Sequence, residues 1–146
     1  LLKTKLDYVV VNREVEITPK IAGSGNDIPD LVVECQTSEY NVASVIIEVK
    51  CCWNPNLKEA IKTQLFDRYM CDDVGYQYGI YLIGWYWSDR WDEKYKRNKI
   101  KQIKVENRFS ETDINETIDY FNKQSKILSN NGKKVKSIVL DLSLPN

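Results

Sequence analysis

The sequence predicts one α/β (α+β) domain: a central mixed β-sheet flanked by helices. Three observations predict it. At 146 residues the chain has room for a single domain. Its 42% hydrophobic and 29% charged residues match a folded globular chain rather than a disordered or collagen-like one. Short apolar runs alternate with stretches of helical spacing in the order β-β-β-α-β-α-β, which calls for two layers around one core.

Tyr8 to Ile17 reads as a strand, because Val11, Arg13, Val15 and Ile17 alternate with Val10, Asn12, Glu14 and Glu16. A short helix around Lys3 would precede it. Gly23-Ser24-Gly25-Asn26-Asp27 is a turn, and Pro29 stops a helix from forming there. Asp30 to Cys35 is a short strand, followed by a polar turn from Thr37 to Asn41. Val42 to Lys50 has a continuous apolar centre, as a strand buried on both faces has.

Asn54-Pro55-Asn56 breaks the chain, and Asn56 is placed to cap a helix from Leu57 to about Met70. At 3–4 residue spacing, Leu57, Ala60, Ile61, Gln64, Leu65 and Arg68 fall on one side of it. Tyr78 to Trp87 is a strand rich in aromatics. Ser110-Glu111-Thr112-Asp113 resembles a helix start, with Ile114, Ile118, Phe121 and either Ser125 or Leu128 on the buried face and Gly132 as the stop. Val135 to Leu144 closes with a strand.

The chain contains no histidine, which removes Ser-His-Asp and Cys-His catalysis and His-ligated zinc. Acid–base or metal chemistry must come from carboxylates, lysines, tyrosines or thiols. The cysteines at 35, 51, 52 and 71 form no C-x-x-C pair, and read as reduced thiols of a cytosolic chain, mostly packing residues. No apolar run approaches the roughly 18 residues of a membrane span, and no signal peptide opens the sequence. Beginning at Leu1, the chain is expected to be a domain of a larger protein.

Net charge is zero, with 21 basic and 21 acidic residues, but the distribution is lopsided. Residues 88–104 hold seven basic and three acidic residues, and residues 122–136 hold five lysines and no acid. Basic walls beside an acidic metal-binding floor would look like this. On charge alone, a solvated basic loop and a helix end complementing its dipole are the favoured account.

The residues that carry chemistry are Asp30 and the tripeptide Glu48-Val49-Lys50. Strand alternation puts Glu48 and Lys50 on one face, with Ile47 and Val49 on the other. A charged pair at the end of an apolar strand is costly unless it is paired or functional. If the strand after Asp30 pairs with this one, two carboxylates converge in a site suited to a hard divalent cation. The Lys50 ammonium could then hold an attacking water and offset charge developing on a phosphate.

Pro29-Asp30, Glu48-Val49-Lys50 and the helix residues Gln64, Leu65 and Tyr69 together resemble the PD-(D/E)XK nucleases, in the RecB-like branch with a Q-h-x-x-x-Y helix motif. Ile47 to Asn54, Thr63-Gln64-Leu65, Arg68-Tyr69 and Gly79 to Trp85 are also similar to C-terminal nuclease-like domains of large bacterial proteins, some associated with defence against phage. The resemblance covers roughly residues 8–90 and implies a restriction-endonuclease-like αβββαβ core. It implies that Asp30, Glu48 and the Val49 carbonyl bind Mg²⁺ or Mn²⁺, that Lys50 positions the water, and that Gln64 and Tyr69 support the site. An upstream acid would be Glu14 or Glu16; both lie on one face of the first strand, and Glu14 is the preferred candidate. Glu34 is expected to face solvent.

The activity so implied is metal-dependent endonucleolytic cleavage of DNA, double-stranded above all, in the cytoplasm. Partners would be neighbouring domains of a larger chain, or a homodimer where both strands are cut. The alternative is a catalytically silent nuclease-like fold that binds DNA or protein. Gly79-Ile80-Tyr81 has no Tyr-Ile-Gly partner and reads as buried strand, and Gly23-Ser24-Gly25 lacks the G-K-[ST] of a phosphate loop. The aromatics Trp85, Tyr86, Trp87, Trp91 and Tyr95 read as core and packed loop in preference to base-stacking residues.

Overall fold

The computed structural model describes residues 15–19, 29–38, 41–71, 76–86, 92–101, 108–109 and 113–143. Within these, five strands form one sheet in the order of the chain: β1 (Val15–Pro19), β2 (Leu31–Ser38), β3 (Asn41–Cys51), β4 (Tyr78–Trp85) and β5 (Lys134–Asp141). β1, β2 and β3 run antiparallel, whereas β4 and β5 continue parallel to β3. The mixed α+β sheet expected from the sequence is present, and β3 is the strand at which its sense changes. The helix around Lys3 and the strand residues before Val15 lie outside the described residues.

Parallel neighbours need long crossovers, and here helices supply them. Helix α1 joins β3 to β4. It opens as one α-helical turn, Leu57–Ala60, and runs straight into a π-helical stretch, Ile61–Met70. Between β4 and β5 lie α2 (Glu93–Lys101), where the sequence suggested only a basic loop, and α3 (Ile114–Leu128).

The start of α1 is where Asn56 was expected, but Asn56 makes no side-chain cap. Asn54 shapes the entry instead: its Oδ1 accepts the Asn56 N–H at 2.9 Å and its carbonyl accepts Leu57 N–H at 3.1 Å. In α3 the cap is Asp113, whose carboxylate accepts Asn115 N–H at 2.9 Å. α3 ends at Leu128, and the turn into β5 carries Asn131 and Gly132 at φ of 48° and 81°, the sign both central residues of a type I′ turn need.

Cross-strand register builds the core. Ile46, Glu48 and Lys50 of β3 stand opposite Gly79, Tyr81 and Ile83 of β4, which stand opposite Val135, Ser137 and Val139 of β5. This row faces the helices. Ile46, Tyr81, Ile83 and Val135 form one buried cluster with Leu57, Ile61, Leu65, Tyr69 and Met70 of α1 and Phe121 and Leu128 of α3. On the opposite face Ile47 and Leu82 are also buried, as the apolar centre of β3 predicts.

The sequence placed Arg68 on the inner side of α1. The structure turns it outward and buries Tyr69 and Met70. The i→i+5 bonding of a π-helix takes more residues per turn than the about 3.6 of an α-helix, so the inward residues recur later along the chain. In α3, Thr117 rather than Ile118 is fully buried beside Phe121 and Ser125, and Ile114 and Ile118 are only half-buried. Among the described residues no helix is long and apolar enough to cross a membrane.

Candidate active site

The site begins where β2 begins. Pro29 has no N–H to give a ladder, and β2–β3 pairing opens one residue later than Asp30, at Leu31 opposite Ile47. Continued by one residue, that register sets half-buried Asp30 across from Glu48. The Asp30 carboxylate reaches the β3 backbone, its Oδ2 accepting the Val49 N–H at 2.8 Å.

Glu48 is buried in the helix-facing row, with 4% of its surface exposed. Lys50, two residues on and on the same face, donates from Nζ to Glu48 Oε1. The Lys50 side chain keeps 14% of its surface open, so one end of the pair reaches solvent while the other does not.

Two tyrosines report the same convergence. Burial, followed by the negative charge of Glu48, raises the Tyr69 phenol above its ordinary value; Asp30 adds to this and Arg68 opposes it. Tyr81, opposite Glu48 on β4, is pushed up further by burial and then by Glu48. Both phenols therefore stay neutral donors at neutral pH. The Tyr81 hydroxyl donates to the Leu57 carbonyl at 2.7 Å and so ties the start of α1 to the strand beside the site.

The structure thus brings Asp30, Glu48, Val49, Lys50 and Tyr69 together from β2, β3 and α1. Gln64 lies on α1 five residues before Tyr69, a separation that one wide π turn brings toward a common side. Its Oε1 is buried and has no hydrogen-bond partner. Glu14 lies outside the described residues. Glu16 pairs with Glu34 across β1 and β2, and Glu34 pairs with Ser44, whose Oγ donates to Glu34 Oε1 at 3.0 Å. That row is four residues along each strand from Asp30 and Glu48, on the order of 13 Å away. Glu34 is half-buried and occupied there, rather than facing solvent as the sequence suggested.

The donor set fits a hard cation. Two carboxylates and a peptide carbonyl offer oxygen, and a site with few protein ligands suits an ion that keeps several waters. An ionised carboxylate has about four lone-pair sites, so the bonds to Val49 N–H and to Lys50 do not exhaust either acid. Among the described residues no group of three or more His, Cys, Asp or Glu side chains is placed to hold a metal ion, this site included.

The sequence reading missed the surroundings of this site. Tyr81 touches it electrostatically, although only its place in a buried strand was anticipated. Trp53, just past β3, packs edge-on against Tyr86 with ring centroids 4.2 Å apart, and the Tyr86 hydroxyl lies 3.6 Å from Cys51 Sγ. Trp85 is core, as expected, while Trp87 and Trp91 lie outside the described residues. The detectable signal was an aromatic following each of two neighbouring strands.

No protein-family model, curated protein or solved structure matches the chain.

Proposed function

We propose that this chain is a nuclease domain that hydrolyses phosphodiester bonds of DNA with the help of Mg²⁺ or Mn²⁺. One observation carries the reading: the β2–β3 register that sets Asp30 across from Glu48, with Lys50 bonded to Glu48 on the same face. Two facing carboxylates and one ammonium leave surplus negative charge in a poorly solvated pocket. Like charges so placed disfavour one another, and a bound cation relieves them. Structure alone would be served better by apolar residues, because a buried ion pair gains little over a well-packed hydrophobic strand end. The resemblance of Pro29-Asp30, Glu48-Val49-Lys50 and Gln64 to Tyr69 to the PD-(D/E)XK pattern supports the same reading, and with it an effector role in a bacterial anti-phage protein acting in the cytoplasm.

A divalent ion held by Asp30, Glu48 and the Val49 carbonyl would supply Lewis-acid polarisation of the scissile phosphate. The remaining work falls to the chain itself. Glu48 holds the Lys50 ammonium in one place, and Lys50 in turn can orient a water and offset the charge that builds on the phosphate oxygens. Tyr69, neutral at working pH, offers a hydroxyl donor on the α1 side, and Gln64 adds an amide on the same helix.

The test is nicking of supercoiled plasmid in Mg²⁺ or Mn²⁺, with EDTA as control. Activity should vanish in EDTA and fall by about 100-fold or more in each of Asp30→Asn, Glu48→Gln and Lys50→Met. Undiminished nicking by all three variants would overturn the assignment. A chain that binds DNA equally in EDTA and never nicks it would be the binding module instead.

A further inference from the structure

Helix α2 packs unlike the other helices. Its nine residues include five basic side chains and one acid, and none belongs to the hydrophobic core. Among its described side chains, Glu93, Lys94, Tyr95, Arg97, Asn98 and Lys101 are exposed, and Lys99 and Ile100 are half-buried. A helix this short is marginal in water unless it packs on something, and among the described side chains of α2 none is fully buried.

The contacts α2 makes among the described residues include polar, local ones. Asp92 Oδ1 accepts the Lys94 and Tyr95 N–H groups at 2.6 and 3.4 Å, capping the first turn. At the other end the Lys99 ammonium lies 5.7 Å from the Trp53 ring centroid and 5.4 Å from that of Tyr95. The second contact lies within α2, and the first, which reaches past the helix to Trp53, is worth about 0.5–1 kcal/mol at an open site.

The docking point matters. Trp53 and Tyr86, packed edge to face, lie just past the C-terminal ends of the parallel neighbours β3 and β4. Trp53 is three residues past Lys50, on the order of 10 Å along the chain. Lys99, one helical turn after Tyr95, faces the Trp53 ring. Lys94, Arg97 and Lys101 recur at i, i+3 and i+7, which aligns them as one stripe on a different side of the helix. Among the described residues no carboxylate forms an ion pair with any of the three.

We propose that the Lys94–Arg97–Lys101 stripe grips the phosphate backbone of DNA and leads it across the end of β3 to Asp30, Glu48 and Lys50. The inference rests on the nuclease reading and names its substrate-docking surface. A stripe of cations that meets only phosphates binds independently of sequence. A chain of zero net charge can bind a polyanion in this way because the local field decides, not the total.

Binding is measured apart from cleavage: fluorescence anisotropy of a labelled random-sequence duplex, in EDTA, over a series of NaCl concentrations. For Lys94→Gln/Arg97→Gln/Lys101→Gln, affinity should fall at least about tenfold, and the slope of log affinity against log salt should flatten by about 2.7, near 0.9 per lost contact. The control Lys133→Gln/Lys134→Gln/Lys136→Gln removes as much charge elsewhere and should leave both unchanged. Where the first variant fails to fold by circular dichroism, Arg97→Gln alone should flatten the slope by about 0.9. An unchanged slope in the α2 variants, an equal loss in the control, or no duplex binding by the wild type at low salt would overturn the proposal. A single-stranded probe of equal length shows whether the grip needs a duplex. Salt-sensitive, α2-dependent binding by a chain that never cleaves would refute the catalytic reading and leave this surface standing; cleavage with α2-independent binding would do the reverse.

Discussion

Replacing Lys50 with Met keeps the unbranched stem and removes the ammonium that Glu48 holds. The Glu48 side chain is 5% exposed and its partner 14%, so the variant takes the ammonium away from a carboxylate with almost no access to water. Breaking a buried pair from one side costs about 3–5 kcal/mol, and the residual exposure at Lys50 places this case near about 3 kcal/mol. Glu48→Gln should cost less, because the longer cation can turn its head toward solvent. The double variant Lys50→Met/Glu48→Gln leaves neither charge, and should be more stable than the sum of the two losses by at least about 1.5 kcal/mol. Urea unfolding followed by circular dichroism at neutral pH gives all four corners of the cycle. The double variant is also expected to be inactive in the plasmid assay, which separates loss of chemistry from loss of fold. A coupling below about 0.5 kcal/mol would show that the two charges do not depend on each other, and the positioning role given to Glu48 would fall with it.

At Gly79 an added Cβ would lie 2.5 Å from Met70 Sδ and 3.2 Å from Leu65 Cδ1, both side chains fully buried; Gly79→Ala should therefore cost about 1–3 kcal/mol in urea unfolding, and a neutral effect would show that α1 can lift off β4 freely. Burial pushes the Cys52 thiol up to about 11, so the unfolded chain ionises first as pH rises. The contribution of Cys52 to stability is complete below about pH 9 and is lost between about pH 9 and 11. The melting temperature should fall less steeply over that window in Cys52→Ala than in the wild type, and parallel curves would refute the assignment.

The central strand was legible because β3 is apolar over enough consecutive residues to be buried on both faces, and period-two alternation then fixed which side Glu48 and Lys50 share. Pairing with β2 was the remaining condition, and it brings Asp30 opposite Glu48. The inner side of α1 was not legible. An α-helical period puts Arg68 beside Leu65, and nothing in Ile61–Met70 announces wider winding. α2 escaped notice for a related reason: its sequence has no apolar stripe, and periodicity detects helices that pack. Asn56 stands at the N-cap of α1 as expected, but its side chain accepts no helix N–H, a detail that depends on local backbone geometry rather than residue type. Glu34 was misjudged because its fate depends on Ser44, ten residues away in sequence and adjacent only after pairing.

The winding of α1 makes chain length itself part of the geometry of the candidate site. Removing one residue between Ile61 and Met70 would let the segment tighten, while the Tyr81–Leu57 anchor still fixed its first turn. Every later side chain would then swing by roughly 100° about the axis. Tyr69 would leave the carboxylates without a single functional residue having been substituted. A chain can thus keep every residue of such a site and still lose its geometry to a one-residue gap, so an alignment that scores identity alone would mistake the two for equivalents.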